Sequence, residues 1–220
     1  MAPVRPVVAC APISGPPSAA GQRERNLPTM RSPTSVSTSH MPEAWAAARA
    51  ELVATDCPGC IMQLQDNINH ANGTQRPVHI LELLDQLRQQ GRLKMSSKTP
   101  ERLTFHDPCQ VSRRGGATGA ARNVLKHLGV DFREMEYGGD YNWCCGGGGG
   151  VVTIKRAGPL RRRVFKLKMD QVEKTEADEL LSSCANCRQS FDDSQEYFNW
   201  DYKMGSLMEM VAENLEEGQS

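Results

Sequence analysis

Cys10, Cys57, Cys60, Cys109, Cys144, Cys145, Cys184 and Cys187 are the residues of this 220-residue chain best suited to chemistry, and all but Cys10 fall into patterned groups. Cys57-Pro58-Gly59-Cys60 and Cys184-Ala185-Asn186-Cys187 have the Cys-x-x-Cys spacing that lets two sulfurs from one turn reach one metal centre. Cys109 closes the word His106-Asp107-Pro108-Cys109, and Cys144-Cys145 runs directly into the glycines Gly146 to Gly150. Thiolates are soft donors that suit iron-sulfur clusters or zinc. Side chains of neighbouring residues on an extended backbone point apart. Cys144 and Cys145 therefore share a centre only if the chain turns sharply or the centre holds several metal ions, and glycines that accept positive φ and approach closely supply such a turn.

Each group has a plainer reading. A disulfide framework needs an oxidising compartment, whereas the N-terminus lacks a charged region followed by an apolar stretch and a cleavage site; Val7 to Cys10 resembles a lipoprotein box only superficially. A structural zinc site could use Cys57, Cys60, Cys184 and Cys187, but it leaves Cys109, Cys144 and Cys145 without a role. The glycine run lacks the Lys-Ser/Thr of a phosphate loop, and a linker is its bland alternative. No thioredoxin pattern accompanies either Cys-x-x-Cys. His106 could donate to a cluster sulfur or shuttle a proton, with a satisfied histidine at a strand end as the equal alternative. His79 sits where a helix cap is expected, Arg113 and Arg114 could hold an anion or simply face solvent, and Arg161 to Arg163 read as surface charge.

These residues need elements to position them. Leu52-Val53-Ala54, Leu103-Thr104-Phe105, Phe132 with Met135, and Leu180-Leu181 read as short buried strands. Ile61 to Ile68, Ile80 to Leu87, Ala120 to Leu128, Val164 to Val172 and Leu207 to Leu215 carry apolar residues at helical spacing. Strands alternating with helices predict an α/β fold with short parallel sheets and flanking helices, each cysteine group lying just after a strand or in a loop at the sheet edge. The shift that superposes Cys57 on Cys184 also superposes Cys60 on Cys187, Val53 on Leu180, Thr55 on Ser182 and Glu82 on Glu209. Strand, Cys-x-x-Cys and following helix thus recur as one unit, giving two related half-domains of which the first is truncated. The expected division is a segment 1–42 without order, a remnant of the first half-domain at 43–98 and a complete second one at 99–220.

Charge removes other classes. Lys plus Arg and Asp plus Glu both number 26, so no electrostatic pull toward nucleic acid or anionic lipid is present. No apolar run approaches the roughly 20 residues of a membrane-spanning helix. Residues 1–42 are rich in Pro, Ser, Ala and Arg without periodicity, which suits either an organelle-targeting peptide or an unnatural or truncated start, and gives Cys10 no function.

Cys109, Cys144-Cys145-Gly146 and Cys184-x-x-Cys187, with the words His-Asp-Pro-Cys and Trp-Cys-Cys-Gly-Gly, resemble the CCG motif of heterodisulfide reductase catalytic subunits and of the glycolate oxidase iron-sulfur subunit. The resemblance covers residues 45–217 and looks like the C-terminal part of a longer relative. It implies a [4Fe-4S] cluster, noncubane in the heterodisulfide reductases, on Cys109, Cys144, Cys145, Cys184 and Cys187, with Cys57 and Cys60 as secondary candidates. The earlier cysteines of a first CCG repeat and ferredoxin-type cysteine segments are not present here. The implied function is an electron-transfer component of a glycolate or other 2-hydroxy-acid oxidase relay, working with a flavin-containing or other redox subunit in the cytoplasm or in a complex peripheral to a membrane. Disulfide reduction at the cluster and a structural zinc scaffold are the alternatives.

Overall fold

A computed structural model of the chain describes residues 7–8, 52–70, 77–97 and 99–216. Cys10 and most of the segment expected to lack order lie outside these residues. Val7–Val8, within that segment, form a two-residue strand, β1, paired in parallel with β2 (Val53–Thr55) through Val7 with Val53 and Val8 with Ala54. Helix α1 (Pro58–His70), strand β3 (Val78–His79) and helix α2 (Ile80–Gln89) follow. The order of this sheet is β1-β2-β3.

The second sheet has the order β5-β4-β6-β7, with β4 at Arg102–His106, β5 at Asp131–Phe132, β6 at Glu179–Ser182 and β7 at Lys203–Ser206. All of its pairings are parallel. Helix α3 (Thr118–Leu128) connects β4 to β5, and α4 (Gly158–Glu173) precedes β6. Helix α5 (Ala185–Phe198) connects β6 to β7, and α6 (Leu207–Glu213) follows β7. The predicted α/β class with short parallel sheets holds. By contact density the chain divides into two compact units, one of residues 56–59 with 79–220 and the other of residues 1–55 with 60–78.

Alternation along the strands sends side chains to two different cores. Leu103, Phe105 and Leu181 pack with Leu81, Val124, Leu125, Leu128 and Leu207. In the next positions, Leu180 faces a second cluster with Phe165, Val172, Phe191, Cys145 and Cys187. Thr104 pairs with Leu180 and His106 with Ser182, so His106 shares the face of the sulfur-containing cluster. Its ring stands edge-on to Phe191 with centroids 4.8 Å apart.

The internal repeat is visible as a repeat of elements. β2, Cys57-x-x-Cys60, α1, β3 and α2 match β6, Cys184-x-x-Cys187, α5, β7 and α6 in order. Both second helices are capped from the preceding strand. His79 Nδ1 accepts from Leu81 N at 3.2 Å while Glu82 accepts from His79 N at 2.9 Å, and Ser206 Oγ accepts from Glu209 N at 3.4 Å.

Two elements, α5 and β7, carry no hydrophobic periodicity. The inward stripe of α5 is Cys187, Ser190, Phe191 and Ser194, small or polar apart from Phe191, and Gly147 of the cysteine loop packs closely against it at Ser190. β7, Lys-Met-Gly-Ser, is an edge strand fixed by its register of Leu180 with Met204 and Leu181 with Gly205.

Leu181 is completely buried at the centre of the first cluster. Leu181→Ala should lower the unfolding free energy by about 2–5 kcal/mol, read as a lower urea midpoint with an unchanged slope. An unmoved midpoint would remove Leu181 from the core.

Candidate metal centre

Cys109 follows the C-terminal end of β4 and opens a single π-helical turn, Gln110–Arg114. Cys184 follows β6 and is the N-cap of α5, with Cys187 in the first turn of that helix. Cys144 and Cys145 arrive on the long connection between β5 and α4. Adjacent parallel strands place their C-terminal ends side by side, so two of the three segments meet there by topology and the third must be brought to them.

Asp107 brings it. Its carboxylate accepts from Gly139 N at 2.7 Å and is clasped by Arg122 at 2.7 and 2.8 Å. The carbonyl of Asp107 accepts from the side-chain amide of Asn142, which is buried, and Arg113 donates to the carbonyl of Asn142. The chain then turns at Cys144-Cys145. Gly146 has φ +80°, a left-handed conformation rarely tolerated by other residues. A Cβ at Gly147 would lie 2.9 Å from Ser190 Cβ, so only glycine lets the loop lie against α5. Ser190 Oγ donates to Cys145 O at 3.0 Å across this contact. The amides of Gly146 and Gly147 point back at sulfur, donating to Cys144 Sγ at 3.3 Å and Cys145 Sγ at 3.4 Å.

The five free cysteines form one continuous set. Cys144 acts on the charge of Cys109 and Cys145, Cys145 on that of Cys187, and Cys187 on that of Cys184, and Cys145 Sγ lies within 4.8 Å of Cys187 Sγ. Cys145 and Cys187 are buried, whereas Cys109, Cys144 and Cys184 are half-buried. The set draws its negative charge to one end. The thiols of Cys109 and Cys145, with the Gly146 amide, hold Cys144 at a pKa of about 2. The donating thiols are pushed the other way, Cys145 to about 11 and Cys109 and Cys187 well above the ordinary range. Cys184 is lowered to about 7, first by the Cys187 thiol and then by the amides of Cys187 and Asn186 at the start of α5.

His106 closes the set from below. One of its ring nitrogens, Cys145 Sγ and Cys187 Sγ all lie within 4.8 Å of one another. The ring is wholly buried and neither nitrogen has a hydrogen-bond partner, so the reading of a satisfied strand-end histidine does not hold. Burial, aided by Lys168, drives its pKa well below the usual value, leaving a neutral imidazole. Soft sulfurs with amide donors behind them and a neutral nitrogen without a partner are a donor set that fits an iron-sulfur group.

Other expected residues fall elsewhere. Cys57 and Cys60 are in disulfide linkage, in contrast to the five free thiols, and do not share their chemical state. Only Gly146 and Gly147 pack at the sulfurs; Gly148, Gly149 and Gly150 are exposed. Arg114 is exposed and bonded to Gln110. Arg161 is not surface charge. It is buried and donates to Val151 O, Ile154 O and Asp193, because its long stem carries the guanidinium inward to the carbonyls that leave the glycine run.

Lys168 was not among the sequence candidates. It is wholly buried, with Nζ donating to Asn142 Oδ1 at 3.1 Å and Gln171 Oε1 at 2.8 Å. Burial lowers its pKa to about 8, opposed by Asp107, Cys145, Cys187 and Cys144. The signal was its spacing, three residues after Phe165 and four before Val172, which puts a charge in an apolar stripe.

The Cysteine-rich domain family, CCG, matches residues 103–192. The chain is 32% identical over 182 residues to a dihydromethanophenazine:CoB–CoM heterodisulfide reductase subunit of Methanosarcina mazei, covering 80% of this chain and 44% of the relative. It is 30% identical over 155 residues to Hdr-like menaquinol oxidoreductase iron-sulfur subunit 2 of Archaeoglobus fulgidus, covering 67% of this chain and 28% of that protein. Identity to EtfAB:quinone oxidoreductase of Syntrophomonas wolfei is 28% over 136 residues, covering 60% and 19% respectively. The chain thus spans less than half the length of these relatives.

The thiol charges give a direct test on metal-free protein under anaerobic conditions. At pH 6 an ordinary cysteine, with a pKa of about 8.5, is almost entirely protonated. Because the Cys144 pKa is depressed, its thiolate survives as pH falls. Iodoacetamide should therefore label Cys144 first and buried Cys187 last, as read by peptide mass mapping, and urea should abolish the difference. Equal labelling of the five in the folded protein would contradict the charge distribution.

Proposed function

Residues 103–192 belong to the CCG cysteine-rich domain family, and from that premise we propose that the chain is an iron-sulfur component of an oxidoreductase complex, holding one cluster on Cys109, Cys144, Cys145, Cys184 and Cys187. The observation that carries the reading is the meeting of five free thiols from three separate segments at the strand ends, with glycine amides directed at two of the sulfurs. A bound [4Fe-4S] group would supply one-electron chemistry there. The residues of the chain do the rest. Gly146 and Gly147 offer N–H donors to the sulfurs, the start of α5 favours negative charge at Cys184, and Phe165 and Phe191 help to exclude water from the buried side.

A relay role is favoured by the relatives, two of which carry quinone or menaquinol in their names. In this reading electrons come from a flavin-containing or other redox partner, with a 2-hydroxy-acid oxidase as one form of donor, and a quinone-level acceptor receives them. No described helix is long and apolar enough to cross a membrane. The five free thiols suit a reducing compartment such as the cytoplasm. Disulfide reduction is the second reading. It draws on the similarity to the heterodisulfide reductase of Methanosarcina mazei and on the half-exposed Cys109 and Cys144, which leave one side of the set open to a substrate near exposed Trp143. A four-sulfur zinc site is disfavoured because Cys57 and Cys60 are in disulfide linkage while Cys184 and Cys187 join Cys145.

Anaerobically purified protein should contain iron and acid-labile sulfide and give a paramagnetic resonance signal that changes on reduction. Cys145→Ala should lose more than half of the iron or alter the signal, and Cys10→Ala should change neither. Stoichiometric zinc without iron or sulfide would end the redox reading, and iron lost in Cys57→Ala but kept in Cys145→Ala would move the site.

A further inference from the structure

We propose that Lys168 is the counter-charge of the sulfur site, an ammonium buried beside the cysteines to hold the reduction potential of their cluster above the value the thiolates alone would set. The inference rests on the cluster reading given above and adds to it a residue with a defined electrostatic task.

The position of the side chain leaves little else for it to do. Lys168 lies on the inward stripe of α4 between Phe165 and Val172 and is completely buried. Lysines placed on such stripes ordinarily extend their stems so that the charge reaches water. Here Nζ stays inside. It is bonded to Asn142 Oδ1 at 3.1 Å and Gln171 Oε1 at 2.8 Å, with Met135 Sδ at 3.8 Å, and all three partners are neutral. Among the described residues no carboxylate forms a salt bridge with it. A buried cation whose hydrogen bonds end on neutral groups is unfavourable unless an anion lies within electrostatic reach.

Few anions face it. From the end of β4, Asp107 is within reach, but its carboxylate is held by both terminal nitrogens of Arg122 and accepts from Gly139 N. His106, from the same strand, is neutral. The other groups that favour its charge are sulfurs, Cys145 and Cys144 from the loop and Cys187 from α5, each of which would be a thiolate with a cluster bound. The loop is arranged for this meeting. Asn142, two residues before Cys144, donates to the Asp107 carbonyl and presents its own carbonyl oxygen to Lys168, so one side chain sets both the path of the cysteine loop and the place of the ammonium.

The consequence is a redox one. Each electron entering the site adds one negative charge and no atoms, and Lys168 keeps its proton. A fixed positive charge in a poorly screened interior stabilises the reduced form more than the oxidised form. Cluster potentials respond to net charge, hydrogen bonds to sulfur and solvent exposure, and Lys168 supplies the first of these from within the protein. Gly146 and Gly147 supply the second.

The test compares wild type with Lys168→Met, which removes the charge but keeps a flexible apolar stem of similar length. Cluster content is read as iron and sulfide per chain, and the midpoint potential from a dithionite titration followed by paramagnetic resonance. Lys168→Met is expected to retain the cluster and shift its potential downward by at least tenfold in the one-electron reduction constant, or about 59 mV. Lys168→Arg should stay near wild type. An unmoved potential in Lys168→Met, with a cluster present, overturns the inference and leaves the cluster reading standing. If Lys168→Met loses its iron, Lys168→Arg decides: retained iron at near wild-type potential supports the counter-charge, and equal loss shows that shape rather than charge mattered. A wild type without iron overturns the cluster reading and this inference together.

Discussion

Five cysteine sulfurs gathered at one sheet edge repel one another as soon as more than one of them loses its proton, and much of the structure around them answers that constraint. The protein distributes the protons unequally, with Cys144 as the acceptor of two thiols and Cys184 as the acceptor of a third. Backbone amides are aimed at both members of the adjacent pair, and the start of α5 is turned toward Cys184. A bound metal group would displace these protons, since only thiolates ligate it. The tight turn at Gly146 and Gly147 follows from the same need, because without it the two adjacent sulfurs would diverge.

Asp107 and Asn142 carry this constraint into the rest of the fold. Asp107 is the residue through which β4, α3 and the long β5–α4 connection are tied together, since Arg122 projects from α3 and Gly139 belongs to the connection. Arg122 also meets Glu134 at 2.7 Å, so the guanidinium is held between two carboxylates. A loop of this length, with only three short 3-10 turns of its own, is held in a compact domain where such anchors replace a hydrogen-bonded ladder. The buried Arg161 performs the matching task at the other end of the loop, binding the carbonyls of Val151 and Ile154.

The recurring elements differ at their cysteines while retaining their order. Strand, turn, helix, strand and capped helix recur, with His79 and Ser206 as chemically different caps at corresponding positions. Yet Cys57 and Cys60 are in disulfide linkage, and Cys184 and Cys187 are free and join the adjacent pair. Cys109 and Cys144-Cys145 stand before the second pair and complete a five-sulfur set with it.

By itself the sequence determined the α/β class, the repeat, the helix cap at His79 and which cysteines form groups, because each of these is a matter of period, spacing or local backbone preference. The five-sulfur set was already countable from Cys109, Cys144, Cys145, Cys184 and Cys187. The repeat implied a helix after Cys184-x-x-Cys187, but neither α5 nor strand β7 carries a periodic signal of its own, since serines and a glycine occupy positions where apolar side chains would have marked a buried face. Arg161 was not legible, and Lys168 showed only as a charge placed in an apolar stripe; the burial of both is set by residues distant in the chain. The direction of the His106 ring, the turn of its neighbours toward the sulfurs and the enclosure of an ammonium beside them arise from long-range packing. Tertiary structure decided them because electrostatic environment is a property of the assembled surroundings, and no spacing along the chain encodes it.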